Sequence, residues 1–349
     1  FQDDVAEIRA DIAVTGMEGE TIAAFLYVDG IPTDKKEIEI DKDDYRETLT
    51  FPHRPEELGV ADYEIKLHGV TDDTFDSNNA TSFAIAASDD RTNVLLLDGY
   101  PRWEFRYLRN LFFARDKSVH LQHVLFRPDR IAGAIPPDPV PASASRPFAE
   151  AEANALPESR EEWLKFDAII IGDVHPEALD EIAWESIRAA VAERGSLLIL
   201  IAGPRSMPHA FTSETATDLL PVTLPPVLSD TFIPPEPSFH FRLTTKGARH
   251  PIPRLSADPE LNDRIWSGLP ALHWRLPAGE IKAAAEVLAY AEPAGGVDLS
   301  SDPERQHANA LIVAHRFALG RVVLLNFDRT WRLRYGLGDV LHHRFWGNI

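Results

Sequence analysis

The chain has 349 residues, enough for two domains, and its hydrophobic content of 44% and charged content of 26% are ordinary for a soluble globular protein. Its 35 basic residues are outnumbered by 55 acidic ones, and a net charge of −20 argues against nucleic acid or anionic lipid as a general partner. The absence of cysteine excludes disulfides, thiolate metal sites and cysteine nucleophiles.

Short segments of alternating apolar and polar residues occupy positions 1–89. They are separated by turn-rich pieces, and they read IRADIAVTG, TIAAFLYVDG, KEIEID, ETLTF, DYEIKLHGV and TSFAIAA. Alternation with a period of two, without a helical stripe, predicts an antiparallel β-sandwich of immunoglobulin type. The acidic run Asp72, Asp73 and Asp76 offers oxygen ligands for calcium, although a solvated turn is the interpretation we favour.

At residue 93 the pattern changes to a buried strand followed at once by a helix. Asn93 to Leu97 form an unbroken apolar run that ends in Asp98-Gly99, and Pro101 then stands where a first helical turn tolerates it. A strand that feeds a helix through a tight turn is the first unit of a doubly wound α/β domain, in which ligands bind beyond the carboxyl ends of the strands. Residues 90–349 are therefore predicted to form a mainly parallel α/β domain.

Later segments repeat this rhythm of strand and helix. Further strands are predicted at residues 119–126, 167–174, 196–202, 239–244, 285–290, 310–317 and 321–328. Helices are predicted at residues 158–166, 176–194 and 259–266. The helix over 176–194 is expected to use four apolar positions, which are Leu179, Ile182, Ile187 and Val191.

Two stretches of the second domain lack this rhythm. Residues 127–157 are rich in Pro and Ala and are predicted to be an excursion from the packed fold. The chain ends with TWRLRYGLGDVLHHRFWGNI, which is predicted to be a loop entering a last helix, with four aromatic residues packing that helix: Trp331, Tyr335, Phe345 and Trp346. Enrichment in Arg and aromatic residues is also typical of protein interfaces, so a protein partner or self-association through this segment is expected.

Four ordered motifs within residues 90–349 resemble a family of large bacterial membrane-anchored proteins. The motifs are LLLDGYPRWEFRYLRNLFFARD, FDAIIIGDV, GSLLILIAGPRSMPHAF followed by LLPV, and FALGRVVLLNFDRTWRLRYGLGDVLHHRFWGN. The extracytoplasmic domain of this family is similar to class I glutamine amidotransferases and often follows an immunoglobulin-like or von Willebrand A domain. The resemblance implies a flavodoxin-like sheet, periplasmic or cell-surface exposure, and membrane helices in flanking segments absent from this chain. Because it opens with Phe1 rather than Met, the chain is expected to be a soluble segment of such a protein.

The chain departs from the amidotransferases at the residues that would carry their chemistry. Those enzymes place a cysteine on a sharp elbow after a strand, where this chain reads Gly203-Pro204-Arg205-Ser206. Amide hydrolysis by a thiolate is therefore excluded, and no catalytic residue is assigned. A hydrolase of another class, using Ser206 with His175 or His209 as its base, remains an alternative, although the segment lacks the Gly-x-Ser-x-Gly pattern.

Three acids follow predicted parallel strands and are expected to meet at the carboxyl edge of the sheet: Asp98, Asp173 and Asp328. Together they offer ligands for a divalent cation. We favour a structural role, in which the acids cap helices or pair with nearby arginines. These arginines are Arg102, Arg106, Arg332 and Arg334. The sequence thus predicts a non-catalytic scaffold or recognition domain, without a cofactor, in a bacterial envelope protein.

Overall fold

The computed structural model describes residues 5–69, 78–88, 90–116, 118–127, 156–224, 237–296, 298–335 and 338–349. The chain divides into two compact units, Phe1–Arg91 and Thr92–Ile349. The change of sequence pattern had placed this boundary at residue 89. The acidic run Asp72, Asp73 and Asp76, and most of the excursion at 127–157, lie outside the described residues.

Six described strands build the N-terminal unit as two antiparallel sheets. They are β1 (Ala6–Thr15), β2 (Thr21–Val28), β3 (Ile31–Glu39), β4 (Asp44–His53), β5 (Gly59–His68) and β6 (Ala80–Ala87). β1 pairs with β4, and the other sheet has the order β3-β2-β5-β6. Both sheets contribute to one buried core that includes Ile12, Leu26, Phe51 and Tyr63. The antiparallel strands predicted from the alternating pattern are confirmed. The pattern predicts them because alternate side chains of a strand point to the same face.

An eight-stranded sheet forms the centre of the second unit. Its strands are β7 (Thr92–Asp98), β8 (Val119–Leu125), β9 (Ala168–Ile171), β10 (Leu197–Ile201), β12 (Phe239–Leu243), β14 (Ala285–Pro293), β15 (Ala310–Phe317) and β16 (Gly320–Leu325). The strand order is β12-β14-β15-β16-β10-β9-β7-β8. The five strands from β16 to β8 run parallel, whereas β12, β14 and β15 are antiparallel to their neighbours. Two short strands, β11 (Val222–Thr223) and β13 (Glu280–Ile281), pair separately.

Seven described α-helices accompany this sheet. They are α1 (Trp103–Arg109), α2 (Arg160–Trp163), α3 (Glu181–Ala189), α4 (Glu214–Leu219), α5 (Pro259–Ser267), α6 (Pro303–Ala308) and α7 (Val340–Asn348). Single π-helical turns extend α1 and α3, and short 3₁₀ turns lie at Pro176–Ala178, Gly247–Arg249 and Thr330–Arg334. Leu96 belongs to a buried cluster that includes residues of α1, α5 and α7, while its neighbour Leu97 belongs to a second cluster that includes residues of α2, α3 and α4. Helices therefore cover both faces, and the predicted mixed α/β class is confirmed.

The segment from residue 176 to residue 194 is not the single helix that its apolar spacing predicts. After the 3₁₀ turn, α3 begins only at Glu181, because the Asp180 side chain accepts the N–H of Ala183 at 2.8 Å and caps the helix there. Ile182 lies in the first turn of this later helix and is 71% exposed. Of the four apolar positions named from the sequence, Ile182 therefore faces solvent, whereas Leu179, Ile187 and Val191 are buried.

The C-terminal segment packs as predicted at its end but not at its beginning. Phe345 and Trp346 of α7 are buried, with exposed fractions of 0% and 4%. Tyr335 is 72% exposed and does not pack the last helix. It directly follows the 3₁₀ turn that precedes α7, where the apolar Leu333 is the side chain turned inward.

Candidate functional site

The carboxyl ends of β7, β9 and β10 lie close together, and a glycine stands within two residues of the end of each strand. A Cβ atom on Gly99 would lie 2.1 Å from the carbonyl oxygen of Asp173, and one on Gly203 would lie 2.2 Å from the Cβ of Asp173. A Cβ on Gly172 would lie 2.3 Å from Oδ2 of Asp98. Side chains cannot occupy these positions without movement of the neighbours. This edge of the sheet is densely packed.

Asp98, the last residue of β7, forms a buried ion pair with Arg102 at the start of α1. Arg102 Nε donates to both carboxylate oxygens at 3.1 and 3.2 Å, and its Nη2 donates to Oδ2 at 2.7 Å. Burial alone would lower the pKa of Arg102, but the neighbouring Asp98 carboxylate more than offsets this and the net direction is upward. Each charge thus satisfies the other in a bidentate contact.

Asp328 reaches the same guanidinium. Its Oδ2 lies 3.5 Å from Nη1 of Arg102, and its Oδ1 lies 3.7 Å from Nε of Arg329. Arg102 therefore bridges two of the three strand-end acids and supplies a positive charge between them. Within the described ranges, no group of three or more His, Asp or Glu side chains is arranged to hold a metal ion.

Asp173 makes a contact that the sequence did not predict. It is fully buried, and its carboxylate accepts the backbone N–H groups of Arg205 at 3.1 Å, Ser206 at 2.8 Å and Met207 at 3.1 Å. Converging backbone N–H groups of this kind form an anion-binding nest. Its anion here is a carboxylate of the chain itself. The sequence favours two structural roles for this acid, capping a helix or pairing with an arginine, and an arginine side chain is not what satisfies it.

Ser206 is not joined to either candidate base. The residue is 3% exposed, and among the described residues no hydrogen bond links it to His175 or His209. His175 instead accepts the N–H of Glu177 at 3.3 Å, and His209 lines a separate cleft of about 660 Å³ together with Lys282. A nucleophilic serine needs a base within hydrogen-bond reach. The described geometry therefore lacks the contact that serine catalysis requires.

Three of the four arginines predicted to pair with the acids stack on aromatic rings instead. The guanidinium of Arg106 lies 5.2 Å from the ring centroid of Trp103, that of Arg332 lies 5.5 Å from Trp331, and that of Arg334 lies 4.3 Å from Tyr107. The Tyr107 ring stacks in turn on Trp103 at 5.9 Å and on Trp331 at 6.1 Å. These six residues are named the arginine–aromatic surface: Trp103, Arg106, Tyr107, Trp331, Arg332 and Arg334.

The geometry of α1 explains why Arg102 pairs with a strand-end acid whereas Arg106 does not. Arg102 immediately precedes α1 and points back over the strand ends, whereas Arg106 lies a turn further on and is exposed. Arg334 pairs with Asp339 rather than with a strand-end acid, and Arg332 Nη1 donates to the carbonyl oxygen of Ala271 at 3.1 Å.

Glu104 is a buried acid of this region that sequence reasoning missed. It lies in the first turn of α1, is 1% exposed, and accepts both the N–H of Thr330, at 2.8 Å, and the Thr330 hydroxyl. Thr330 Oγ1 in turn accepts the indole N–H of Trp346 at 3.0 Å. Burial raises the pKa of Glu104 to about 7 although the hydrogen bond from Thr330 opposes the rise. A glutamate in a first helical turn is ordinarily a solvated residue that favours the helix dipole, so the sequence carries no signal of its burial.

No protein-family model matches the chain, and no curated protein matches it. Among solved structures, the chain is similar to the CARDB domain of the PF1109 protein from Pyrococcus furiosus, described in complex with di-metal ions, with 16% identity over 24% of this chain and 79% of that chain and a TM-score of 0.23. It is also similar to the cytoplasmic protein STM1381 from Salmonella typhimurium LT2, with 15% identity over 74% of this chain and 97% of that chain and a TM-score of 0.45. These scores are too low to carry an argument about fold or function. Among the helices of the described ranges, none has both the length and the apolar character that a membrane span requires.

Proposed function

We propose that residues 90–349 form a non-catalytic scaffold or recognition domain with an amidotransferase-like fold, preceded by an immunoglobulin-like domain. In chain order, the five parallel strands are arranged 2-1-3-4-5 across the sheet. This is the strand order of flavodoxin-like folds, and it supports the fold that the four motifs imply. Two antiparallel sheets around one core in the N-terminal unit are compatible with an immunoglobulin-like sandwich.

The observation that carries this proposal is the carboxylate of Asp173 in the nest of N–H groups at residues 205–207. In acyl-transfer enzymes that place their nucleophile after a strand, backbone N–H groups at the turn stabilise the oxyanion of the transition state. Such donors must be available to the substrate. Here these N–H groups are bound by the buried carboxylate of Asp173. It occupies the position that a substrate oxyanion would take, and it would repel a second negative charge.

The resemblance alone supports the cellular placement that belongs to the same proposal. We place this chain on the extracytoplasmic side of a bacterial envelope, held at the membrane by other segments of a larger protein. Its partner in this role is a protein, in keeping with the net charge of −20.

A serine-directed fluorophosphonate probe tests the non-catalytic proposal against the hydrolase alternative. We expect no covalent labelling of Ser206 when the intact protein is incubated with the probe and analysed by mass spectrometry, because the residue is buried and no hydrogen bond among the described residues joins it to His175 or His209. The Ser206→Ala variant and a serine protease are the negative and positive controls. Labelling that is present in the wild type and absent from Ser206→Ala would overturn the proposal.

The alternative metal site is tested by thermal denaturation in the presence of Mg²⁺, Ca²⁺, Mn²⁺ or Zn²⁺. We expect the melting temperature to be unchanged, because Asp98 already pairs with Arg102, and Asp328 lies beside Arg102 and Arg329. A metal-dependent rise that disappears in Asp328→Ala would instead support a cation at the strand-end acids.

A further inference from the structure

We propose that the arginine–aromatic surface binds an acidic peptide segment of a partner protein. The inference rests on the proposed recognition role and names the site and the chemistry of its partner. Trp103 is 57% exposed, which is unusual for a large apolar ring, and it is one of two tryptophan rings that stack on Tyr107. Trp, Tyr and Arg are the residues that most often supply the binding energy of protein interfaces.

Two arginines of this surface lack an anionic partner in the described part of the chain. Among the described residues, the guanidinium of Arg106 lies against the ring of Trp103 and forms no ion pair. Arg332 donates one hydrogen bond to the Ala271 carbonyl, while its Nε is buried without a hydrogen-bond partner. Burial, reinforced by the nearby Arg329, lowers the pKa of Arg332, as expected for a cation that lacks a counter-charge. An incoming carboxylate would supply the counter-charge that both guanidinium groups lack.

Stacking on the rings fixes how these guanidinium groups can bind. A guanidinium that lies over an aromatic ring keeps the N–H groups of its edge directed outward, in the fork geometry that matches a carboxylate. The exposed ring of Trp103 beside Arg106 offers apolar contact to the neighbouring side chain of the same peptide. The surface thus combines carboxylate recognition with an aromatic anchor.

The distribution of charge favours a short acidic peptide as the ligand over a nucleic acid or a second copy of the chain. Residues 321–349 contain five arginines and two acids, so the cationic character is local, whereas the whole chain carries −20. A nucleic acid needs an extended basic track along its backbone, which a net charge of this sign opposes. A second copy of the chain would bring a further −20 and would be repelled. A few carboxylates on one peptide require only the local cations.

Selection from a phage-displayed library of random peptides on the immobilised chain tests this inference. We expect enrichment of peptides that combine several Asp or Glu residues with an apolar residue, and binding that weakens with added salt. For a synthetic peptide of the selected sequence, Arg106→Glu and Trp103→Ala should each weaken binding by about tenfold or more. Both residues are exposed, so neither change is expected to disturb folding, which the melting temperature checks.

Arg264→Glu is the matched control. Arg264 is exposed on α5 and the change alters the net charge equally, so binding of the same peptide should stay within about twofold. The inference is overturned if no peptide or only non-acidic peptides are enriched, if Arg106→Glu binds as the wild type does, or if a single-stranded oligonucleotide binds more tightly than the peptide. It is also overturned if sedimentation shows a dimer that Arg106→Glu dissociates. Any of these results with Ser206 unlabelled would remove this binding site and leave the non-catalytic role intact.

Discussion

At the scale of single residues, the carboxyl edge of the sheet is closed because glycines leave room for charged side chains directly over the strand ends. The Asp98–Arg102 pair occupies the space above Gly172, and the carboxylate of Asp173 occupies the space beside Gly203. Both acids therefore sit where a ligand would bind in an open α/β sheet. Their hydrogen bonds are satisfied within the chain, which is the arrangement expected of a structural edge.

Gly172→Ala tests the first of these contacts. The new Cβ would lie 2.3 Å from Asp98 Oδ2 and 2.4 Å from Arg102 Nη2, so the ion pair must move, and we expect a loss of about 2–3 kcal/mol of unfolding free energy by urea denaturation. Gly347→Ala is the matched control, since a Cβ at this position of α7 would meet no atom of another part of the structure within 4 Å, and the change should stabilise the helix by up to about 1 kcal/mol. Equal effects of the two changes would contradict the crowding at Gly172.

Glu104 makes the stability depend on pH. Its pKa in the folded protein, about 7, lies above its ordinary value of 4.5, so the folded protein keeps a proton that the unfolded chain has already lost. The stability linked to this proton is complete below the ordinary value and is lost as the pH rises through about 7. We expect Glu104→Gln, which stays neutral and keeps an acceptor for Thr330, to remove this loss.

The measurement is the unfolding free energy of both proteins across this pH range. The advantage of Glu104→Gln over the wild type should grow by on the order of 2–3 kcal/mol between about pH 5 and about pH 8. Parallel stability curves for the two proteins would show that the Glu104 proton is not retained on folding.

The positions of the strand-end residues could be predicted from the sequence, but their partners could not. Each acid follows an apolar run, and parallel strands bring such ends to one edge, so the shared location of Asp98 and Asp328 is inferable. The choice between an arginine and a backbone nest depends on the path of the loop after β10. Neither composition nor periodicity encodes that path, and the partner of Asp173 was therefore missed.

At the scale of elements, α7 packs against α5 through aromatic rings. Phe345 is fully buried, with its ring centroid 5.8 Å from that of Trp266 and 5.8 Å from that of Trp346. Strands that are buried on both faces can be predicted well from the sequence, because such burial requires a long unbroken run of apolar residues. Helix starts are harder: the cap at Asp180 delays α3 and turns Ile182 to the solvent, while the spacing of apolar residues alone extends the helix backward.

Phe345→Ala tests the attachment of α7. Removing this ring leaves a cavity between α7 and α5, and we expect a loss of about 3–5 kcal/mol in the free energy of unfolding by chemical denaturation. Val340→Ala, a truncation at the exposed start of the same helix, should cost less than about 0.5 kcal/mol. If both variants unfold at the same denaturant concentration, the packing of α7 contributes little.

At the scale of the whole molecule, the charge is divided unequally between the two units. Residues 1–91 contain 23 acidic and 8 basic residues, a net −15 of the total −20, while residues 92–349 carry the remaining −5. The boundary between the two units and the class of fold of each could be predicted from the change in the period of apolar residues, because this period depends only on residues close together in the sequence. The antiparallel strands β12, β14 and β15 extend the sheet through pairings between distant segments, and a periodicity within each strand does not specify its neighbours.

The closure of the carboxyl edge by Asp173 is tested most directly by hydrogen exchange of the amides that it binds. In the wild type, the N–H groups of Ser206 and Met207 should exchange as slowly as those of strand β10, because a buried carboxylate accepts both. Asp173→Ala should accelerate their exchange by about tenfold or more while the amides of β10 stay protected. Rapid exchange at Ser206 and Met207 in the wild type would show that these donors are available to a ligand, and it would contradict a closed, non-catalytic edge.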